Sequence, residues 1–295
     1  MMPVQLTSSA KVPFADAFLQ KGTYGSVYKM MIGNKECAVK RIALKNHNHV
    51  FEHEALMGCL TKKCKYAAQV HSSYVYNEFG YITMEFYKTD LLQYYLSFER
   101  NFSEKEAAIF FYKICKAVEE LHENGIAHLD LKLENILLTN DNEVRLCDFG
   151  SATRFSANEK MPVIKKIGTP FYLAPELLGS GDFLPDRADS WSLGVILHVL
   201  LVKCLPVYDP SQRSTPFNFT LQHMNNYGVS SKAENLVRNL LCFEPSNRLS
   251  IDQILQHPWL VTNLREETPK KNLRTSGLKR LKRAVQAQTA TRKTV

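Results

Sequence analysis

The chain has 295 residues, 45% of them hydrophobic, enough for a large core or two lobes. Its formal net charge of +8 sits at one end: residues 261–295 hold ten Lys/Arg against Glu266 and Glu267, and the remainder carries equal numbers of each sign. No apolar run is long enough to span a bilayer, Met1–Phe14 has no signal-peptide core, and the seven cysteines include no Cys-x-x-Cys pair. These features favour free thiols over a disulfide framework, and no membrane partner and an intracellular, reducing setting (cytoplasm, nucleus or both) are expected.

In chain order, Phe14–Lys40 reads as a hairpin. Val27, Tyr28, Met30 and Ile32 alternate loosely, Gly33-Asn34 supplies a turn, and Cys37-Ala38-Val39 returns. Asn48–Leu60 carries Phe51, Ala55, Leu56 and Cys59 at helical spacing. Tyr74–Tyr76 and Tyr81–Met84 read as strands joined at Gly80. From Leu91 onward helices dominate. Ser103-x-x-Glu106 is a capping box for a helix ending near Asn124-Gly125. Leu193–Val202, with His198 inside it, reads as a buried helix, and His257-Pro258-Trp259-Leu260 closes the last helical stretch. No internal repeat is visible. A sheet-rich first third followed by a helix-rich remainder predicts an α+β chain of two lobes. The predicted boundaries are an extension over 1–13, an N-lobe over about 14–86, a C-lobe over about 91–260 and a poorly packed basic tail over 261–295.

Two segments concentrate chemistry. His128-Leu129-Asp130-Leu131-Lys132-Leu133-Glu134-Asn135 is followed by Asp148-Phe149-Gly150. Among them Asp130 and Asp148 offer carboxylates, Lys132 an amine and Asn135 an amide, a set sufficient to hold a hydroxyl, a triphosphate and Mg²⁺. Upstream, Leu19-Gln20-Lys21-Gly22-Thr23-Tyr24-Gly25-Ser26-Val27 is a loop in which Gly lets backbone N–H groups approach phosphates. Cys37-Ala38-Val39-Lys40 ends a strand on a Lys that needs an acidic partner. Glu54 is the candidate, and Glu52 lies on the same helix.

These segments resemble the Gly-rich loop, the strand lysine, the catalytic loop and the Asp-Phe-Gly motif of eukaryotic protein kinases. Gly168-Thr169-Pro170-Phe171-Tyr172-Leu173-Ala174-Pro175-Glu176 resembles the end of that family's activation segment. Asp189-Ser190-Trp191-Ser192-Leu193-Gly194 resembles the start of its central helix, and Asn247-Arg248-Leu249 carries the arginine that pairs with Glu176. The resemblance covers about residues 14–260, matches the Ser/Thr pattern through Lys132 and Thr169, and is nearest the calcium/calmodulin-kinase-like group.

It implies a bilobal kinase-like fold, ATP and Mg²⁺ as cofactors and protein substrates. In that reading Asp130 accepts the hydroxyl proton, Lys132 and Thr169 complete the catalytic loop, and Lys40 with Glu54 positions the phosphates. Asn135 and Asp148 ligate the metal, while residues 19–27 cover the nucleotide. Ala38, Met84, Glu85, Tyr87 and Leu137 surround the adenine, Asp90 reaches the ribose, and Asp189 braces the catalytic-loop backbone. Two positions depart from the pattern. Gln20 stands where the first loop Gly belongs, and Leu129 replaces an Arg that pairs with a phosphorylated activation segment. Leu has no charge to neutralise, so activity independent of phosphorylation at Ser151, Thr153 or Ser156 is expected. A monomer is expected. The rivals are a pseudokinase scaffold and a nucleic-acid-associated protein. In the second, Leu278-Lys279-Arg280-Leu281-Lys282-Arg283 meets phosphates or another acidic partner. Arg274-Thr275-Ser276 is a candidate autophosphorylation site.

Overall fold

Alternating apolar residues and a Gly-Asn turn dictate a hairpin near the start of the chain, and the computed structural model contains it. The structure describes residues 17–22, 24–163, 168–169, 171–206, 224 and 226–265. The 1–13 extension, Thr23, Pro170 and the tail beyond Arg265 lie outside them. Strand β2 (Gly25–Ile32) turns through Gly33, φ +61°, into β3 (Lys35–Ala43). With β1 (Phe18–Lys21), β4 (Val70–Tyr76) and β5 (Phe79–Glu85) they form an antiparallel sheet of order β1-β2-β3-β5-β4. Register decides which side chains share a face. Lys40 lies opposite both Val27 and Ile82, and Ala38 lies opposite Met84.

The strand-pair turn expected at Gly80 is corrected. The chain reverses at Asn77-Glu78, with Asn77 at φ 51°, and Gly80 lies inside β5. A Cβ there would strike the Phe51 ring, so that Gly makes room for a helix. That helix, α1 (Leu44–Leu60), is broken at His47 (φ −136°, ψ 25°) and runs regularly from there. Phe51 packs with Ile42 and Ile82 under the sheet, whereas Met57, two turns on, belongs to the core of the other lobe.

The second lobe is helical. After β6 (Thr89–Asp90) and α2 (Leu91–Leu96), Ser103 and Glu106 form both bonds of the capping box that opens α3 (Glu104–Glu123). Gly125, φ +65°, ends it. Ala107, Phe111, Ile114, Val118 and Leu121 line its buried face at helical spacing. They pack on α4 (Pro185–Val202), which is buried along nearly its whole length and forms the centre of the lobe. Helices α5 (Ser231–Leu240), α6 (Ile251–Leu255) and α7 (Pro258–Arg265) complete it. The 257–260 motif therefore opens a helix instead of closing one, and residues 261–265 of the expected tail are helical. Pro258 at the first helical position suits that start. Trp259 is 1% exposed, and its Nε1 donates to Glu104 Oε2 at 2.7 Å. Ser230 donates through N (2.6 Å) and Oγ (2.8 Å) to the same carboxylate, which ties the start of α3 to α5 and α7.

Short strands carry the segments between α3 and α4. They are β7 (Ile126–Ala127), β8 (Ile136–Leu138), β9 (Val144–Leu146), β10 (Thr153–Arg154), β11 (Met161–Pro162) and β12 (Asp182–Phe183). β6, β8 and β9 form one small sheet, while β7 pairs with β10 and β11 with β12. Among the described residues no helix is long and apolar enough to cross a membrane.

Candidate active site

The loop between β7 and β8 is held by one buried carboxylate. Asp189, 0% exposed on α4, accepts from His128 N at 2.9 Å, Leu129 N at 2.8 Å and the His122 ring at 2.9 Å. Leu129 is thereby kept at φ 61°, a left-handed conformation that costs a non-Gly residue about 1–2 kcal/mol. The buried His128 ring accepts from Asp130 N through Nδ1 (3.3 Å), which leaves Nε2 as donor to Cys147 O (3.0 Å). The catalytic-loop candidate is thus locked to the Asp-Phe-Gly candidate.

Side chains then converge on Asp130. Lys132 Nζ donates to its Oδ2 at 2.9 Å and to Thr169 Oγ1 at 2.7 Å, while Thr169 Oγ1 donates to Asp130 Oδ1 at 2.8 Å. Asn135 Nδ2 donates to the Asp130 carbonyl at 2.8 Å and to Oδ2 at 3.1 Å. With its nitrogen so engaged, Asn135 presents its carbonyl oxygen as the group left to offer.

Lys40, 108 residues before Asp148 in sequence, donates to Asp148 Oδ1 at 2.9 Å and to Glu54 Oε1 at 2.6 Å. Glu52 instead is exposed and receives Asn48 Nδ2 at 2.8 Å. Burial opposes the charge on Lys40, but the two carboxylates outweigh it and hold the ammonium above its ordinary pKa. Burial likewise works against the Asp148 carboxylate, yet Lys40 wins and holds it below the usual range. For Glu54, burial reinforced by Asp148 pushes the carboxyl up against the pull of Lys40. Its second oxygen, Oε2, is buried with no hydrogen-bond partner. Asp148 itself sits at φ 63°, ψ 68°, and its side chain is 41% exposed, so part of the carboxylate remains open to solvent.

The donor set suits Mg²⁺. Asn135 and Asp148 offer oxygen atoms that could hold such a cation, and no group of three or more His, Cys, Asp or Glu among the described residues forms a full metal cage. Such a cation is held by one or two protein oxygens with phosphates and water completing its octahedron.

Of the loop expected over the nucleotide, Leu19, Gln20 and Lys21 lie exposed in β1, and Gly22 N donates to Gly25 O at 2.8 Å to close the turn. A Cβ on Gly25 would strike Arg41 O, so that position needs Gly, whereas Gln20 pairs with Val27 as an ordinary strand residue. Ser26 pairs with Arg41, and the Tyr24 ring meets His47 at 5.5 Å. Among the adenine candidates, Met84 lines a cavity with Glu54, Gly58, Ile82, Cys147 and Asp148. Glu85 N is used by Gln69 O (3.0 Å), and Tyr87 donates its hydroxyl to Glu85 Oε2 (2.9 Å). Leu137 lies on β8 opposite Asp90. Asp90 Oδ1 caps α2 through Gln93 N at 2.8 Å, so only its other oxygen is available to a ribose. The activation-segment pair forms: Arg248 donates to Glu176 at 2.8 and 3.1 Å.

Sequence reasoning missed Cys147 in the cavity wall, the bond from the His53 ring to Ala152 O (2.9 Å) and the support of Asp189 by His122. Adjacency to Asp-Phe-Gly was a signal for the first. The other two join residues 99 and 67 apart, and nothing local announces them.

Comparison with known proteins agrees with this geometry. The model of the protein kinase domain matches residues 16–260. The serine/threonine-protein kinase SIK1 of Mus musculus is 36% identical over 185 residues, covering 61% of this chain and 23% of the relative. SIK2 of Gallus gallus is 36% identical over 185 residues, 61% of this chain and 22% of the relative. The ovarian-specific serine/threonine-protein kinase Lok of Drosophila melanogaster is 37% identical over 191 residues, 61% and 40% respectively. The matched part thus spans under a quarter of the SIK relatives. With the family's model covering most of its length, the chain belongs to the protein kinase domain family.

Proposed function

We propose that the chain transfers the γ-phosphoryl group of Mg-ATP to Ser or Thr hydroxyls of protein substrates. The observation that carries this is the bond from Lys40 to both Glu54 and Asp148, which joins the sheet, the first helix and the Asp-Phe-Gly segment. Asn135 and Asp148 are the residues that would hold Mg²⁺, whose charge, when bound, neutralises the transferring phosphates. Lys40, fixed in its charged form, answers the phosphates of the nucleotide. Asp130 orients an acceptor hydroxyl and takes its proton, a role supported by the Thr169 hydroxyl that it already accepts at 2.8 Å. Lys132 supplies positive charge beside that transfer. Positioning and charge neutralisation carry most of the barrier reduction, with turnover on the order of 1–100 s⁻¹.

The finer reading is that activity needs no phosphate on the activation segment. Leu129 is 4% exposed and packs in the core, so no guanidinium stands where such a phosphate is answered. The described parts of the segment have other anchors: β7 with β10, β11 with β12, Thr169 on Asp130, and His53 on Ala152. Seven free cysteines support a reducing, intracellular setting.

The test is transfer of γ-labelled phosphate from Mg-ATP to a Ser/Thr-rich protein, with Asp130→Asn alongside. Label on Ser/Thr with wild type, lost in the variant, is expected. A scaffold without chemistry gives no label in either. Phosphatase pretreatment is expected to leave turnover within about twofold, and a drop of tenfold or more contradicts the phosphate-independent reading.

A further inference from the structure

Two consecutive residues of α1 meet the Asp-Phe-Gly segment at its two ends. At the entrance, Glu54 Oε1 and Asp148 Oδ1 share the Lys40 ammonium. In the middle, a Cβ on Gly150 would lie 3.6 Å from Glu54 Oε2, so the backbone there passes close to that carboxyl. At the exit, the half-buried His53 ring meets Ala152 O at 2.9 Å through Nε2. A carbonyl only accepts, so Nε2 is the donor of this bond. Ala152 is itself firmly placed. It is 2% exposed, and its N–H donates to Phe149 O at 3.1 Å. The next residue opens β10, which pairs with β7 just before the loop that carries Asp130.

We propose that His53 is a positioning residue that fixes the rotation of α1 about its own axis and so holds Glu54 on Lys40. The proposal rests on the phosphotransfer reading of the site. Successive residues of a helix point about 100° apart. A helix bonded through Glu54 alone is free to turn, whereas a second directional bond from the adjacent position fixes its angle. The other holds on α1 are apolar: Phe51 against Ile42 and Ile82, and Met57 in the core of the helical lobe. Apolar contact has no preferred direction, so it sets how closely the helix packs and defines its rotation less sharply. The chain before the helix gives little help, because its helical backbone is broken at His47. Loss of the donor at position 53 frees the rotation, and Glu54 leaves Lys40 while Asp148 stays.

The experiment measures kcat and KM on a Ser-containing peptide for wild type, His53→Gln, His53→Glu and His53→Met, and for His53→Met combined with Glu54→Gln. Gln keeps an N–H donor, Glu puts an oxygen in its place, and Met keeps bulk alone. His53→Glu and His53→Met are expected to lower kcat by about tenfold with the peptide KM unchanged, while His53→Gln stays within about twofold of wild type. On the Glu54→Gln background, His53→Met is expected to cost less than about twofold more, as for groups that act as a unit. The proposal is overturned if Gln is as impaired as Met, if Glu is as active as Gln, or if Met costs the same whether or not Glu54 is intact. Should circular dichroism show the Met variant unfolded, the Gln and Glu variants decide the matter. No transfer by wild type overturns the phosphotransfer reading itself, and the proposal with it.

Discussion

The two lobes hold their parts of the site by different means. In the helical lobe, Asp130, Lys132 and Asn135 stand on a loop pinned by a fully buried carboxylate of α4, which runs through a core of 0–2% exposed side chains such as Ile196, Leu197 and Leu200. In the sheet lobe, Lys40 and Glu54 stand over a small buried cluster of Ile42, Phe51 and Ile82, with Leu44, Val70 and Met84 packed against it. Helix α1 bridges the difference, with Phe51 facing the sheet, Met57 the large core and Glu54 the lysine between. Packing therefore places Asp130, Lys132 and Asn135, whereas a shared ion pair places Lys40 and Glu54. Such a pair is vulnerable to loss of one partner, which strands a buried charge.

Four changes break or sharpen this contrast. The largest effect is expected from Asp130→Asn, which removes the proposed acceptor of the hydroxyl proton from the well-packed side. Phosphotransfer should fall by about 10²–10⁴ while the circular dichroism spectrum is kept. Ile196→Ala, in the centre of α4, should lower unfolding free energy in urea by about 2–5 kcal/mol. Glu54→Gln should act in the opposite proportion to that core change. Phosphotransfer drops about 10–100-fold, and the urea midpoint falls by less than for Ile196→Ala, since the amide still accepts from Lys40 and Asp148 keeps the ammonium paired. The smallest effect belongs to Glu106, whose carboxyl is held down to about 2, chiefly by its bond from Arg100, with Ser103 adding to it against burial. A carboxyl depressed on folding gives stability that is present above its unfolded pKa of about 4.3 and is lost as pH falls toward the folded value. Half-exposed as it is, Glu106→Gln should lower stability by about 0.5 kcal/mol at pH 7 and by nothing measurable near pH 2, read from thermal melts at both pH values.

What sequence alone made legible follows the same division. The catalytic loop was readable because its chemistry is packed into His128–Asn135, and the α3 start because a capping box is a local pattern. The sequence leaves Glu54 and Glu52 as alternatives on one helix, because the face that meets Lys40 is set by packing against distant elements. The misreadings have physical reasons. Gly80 looks like a turn in sequence, yet its missing side chain admits the Phe51 ring from another element. Pro258 looks like a stop, yet it occupies the one helical position where its missing N–H is harmless. The braces from His122 and His53 were invisible because each joins elements far apart in the chain.

The central claim is that Lys40 of the sheet and Asp148 beside the helical lobe act as one unit. The most direct measurement is a double-mutant cycle on single-turnover phosphotransfer with Lys40→Met, Asp148→Asn and both together. Each single change is expected to reduce the rate by about 10³, and the double change by little more, as for groups that work together. Losses that multiply to about 10⁶, or single variants close to the wild-type rate, would contradict it.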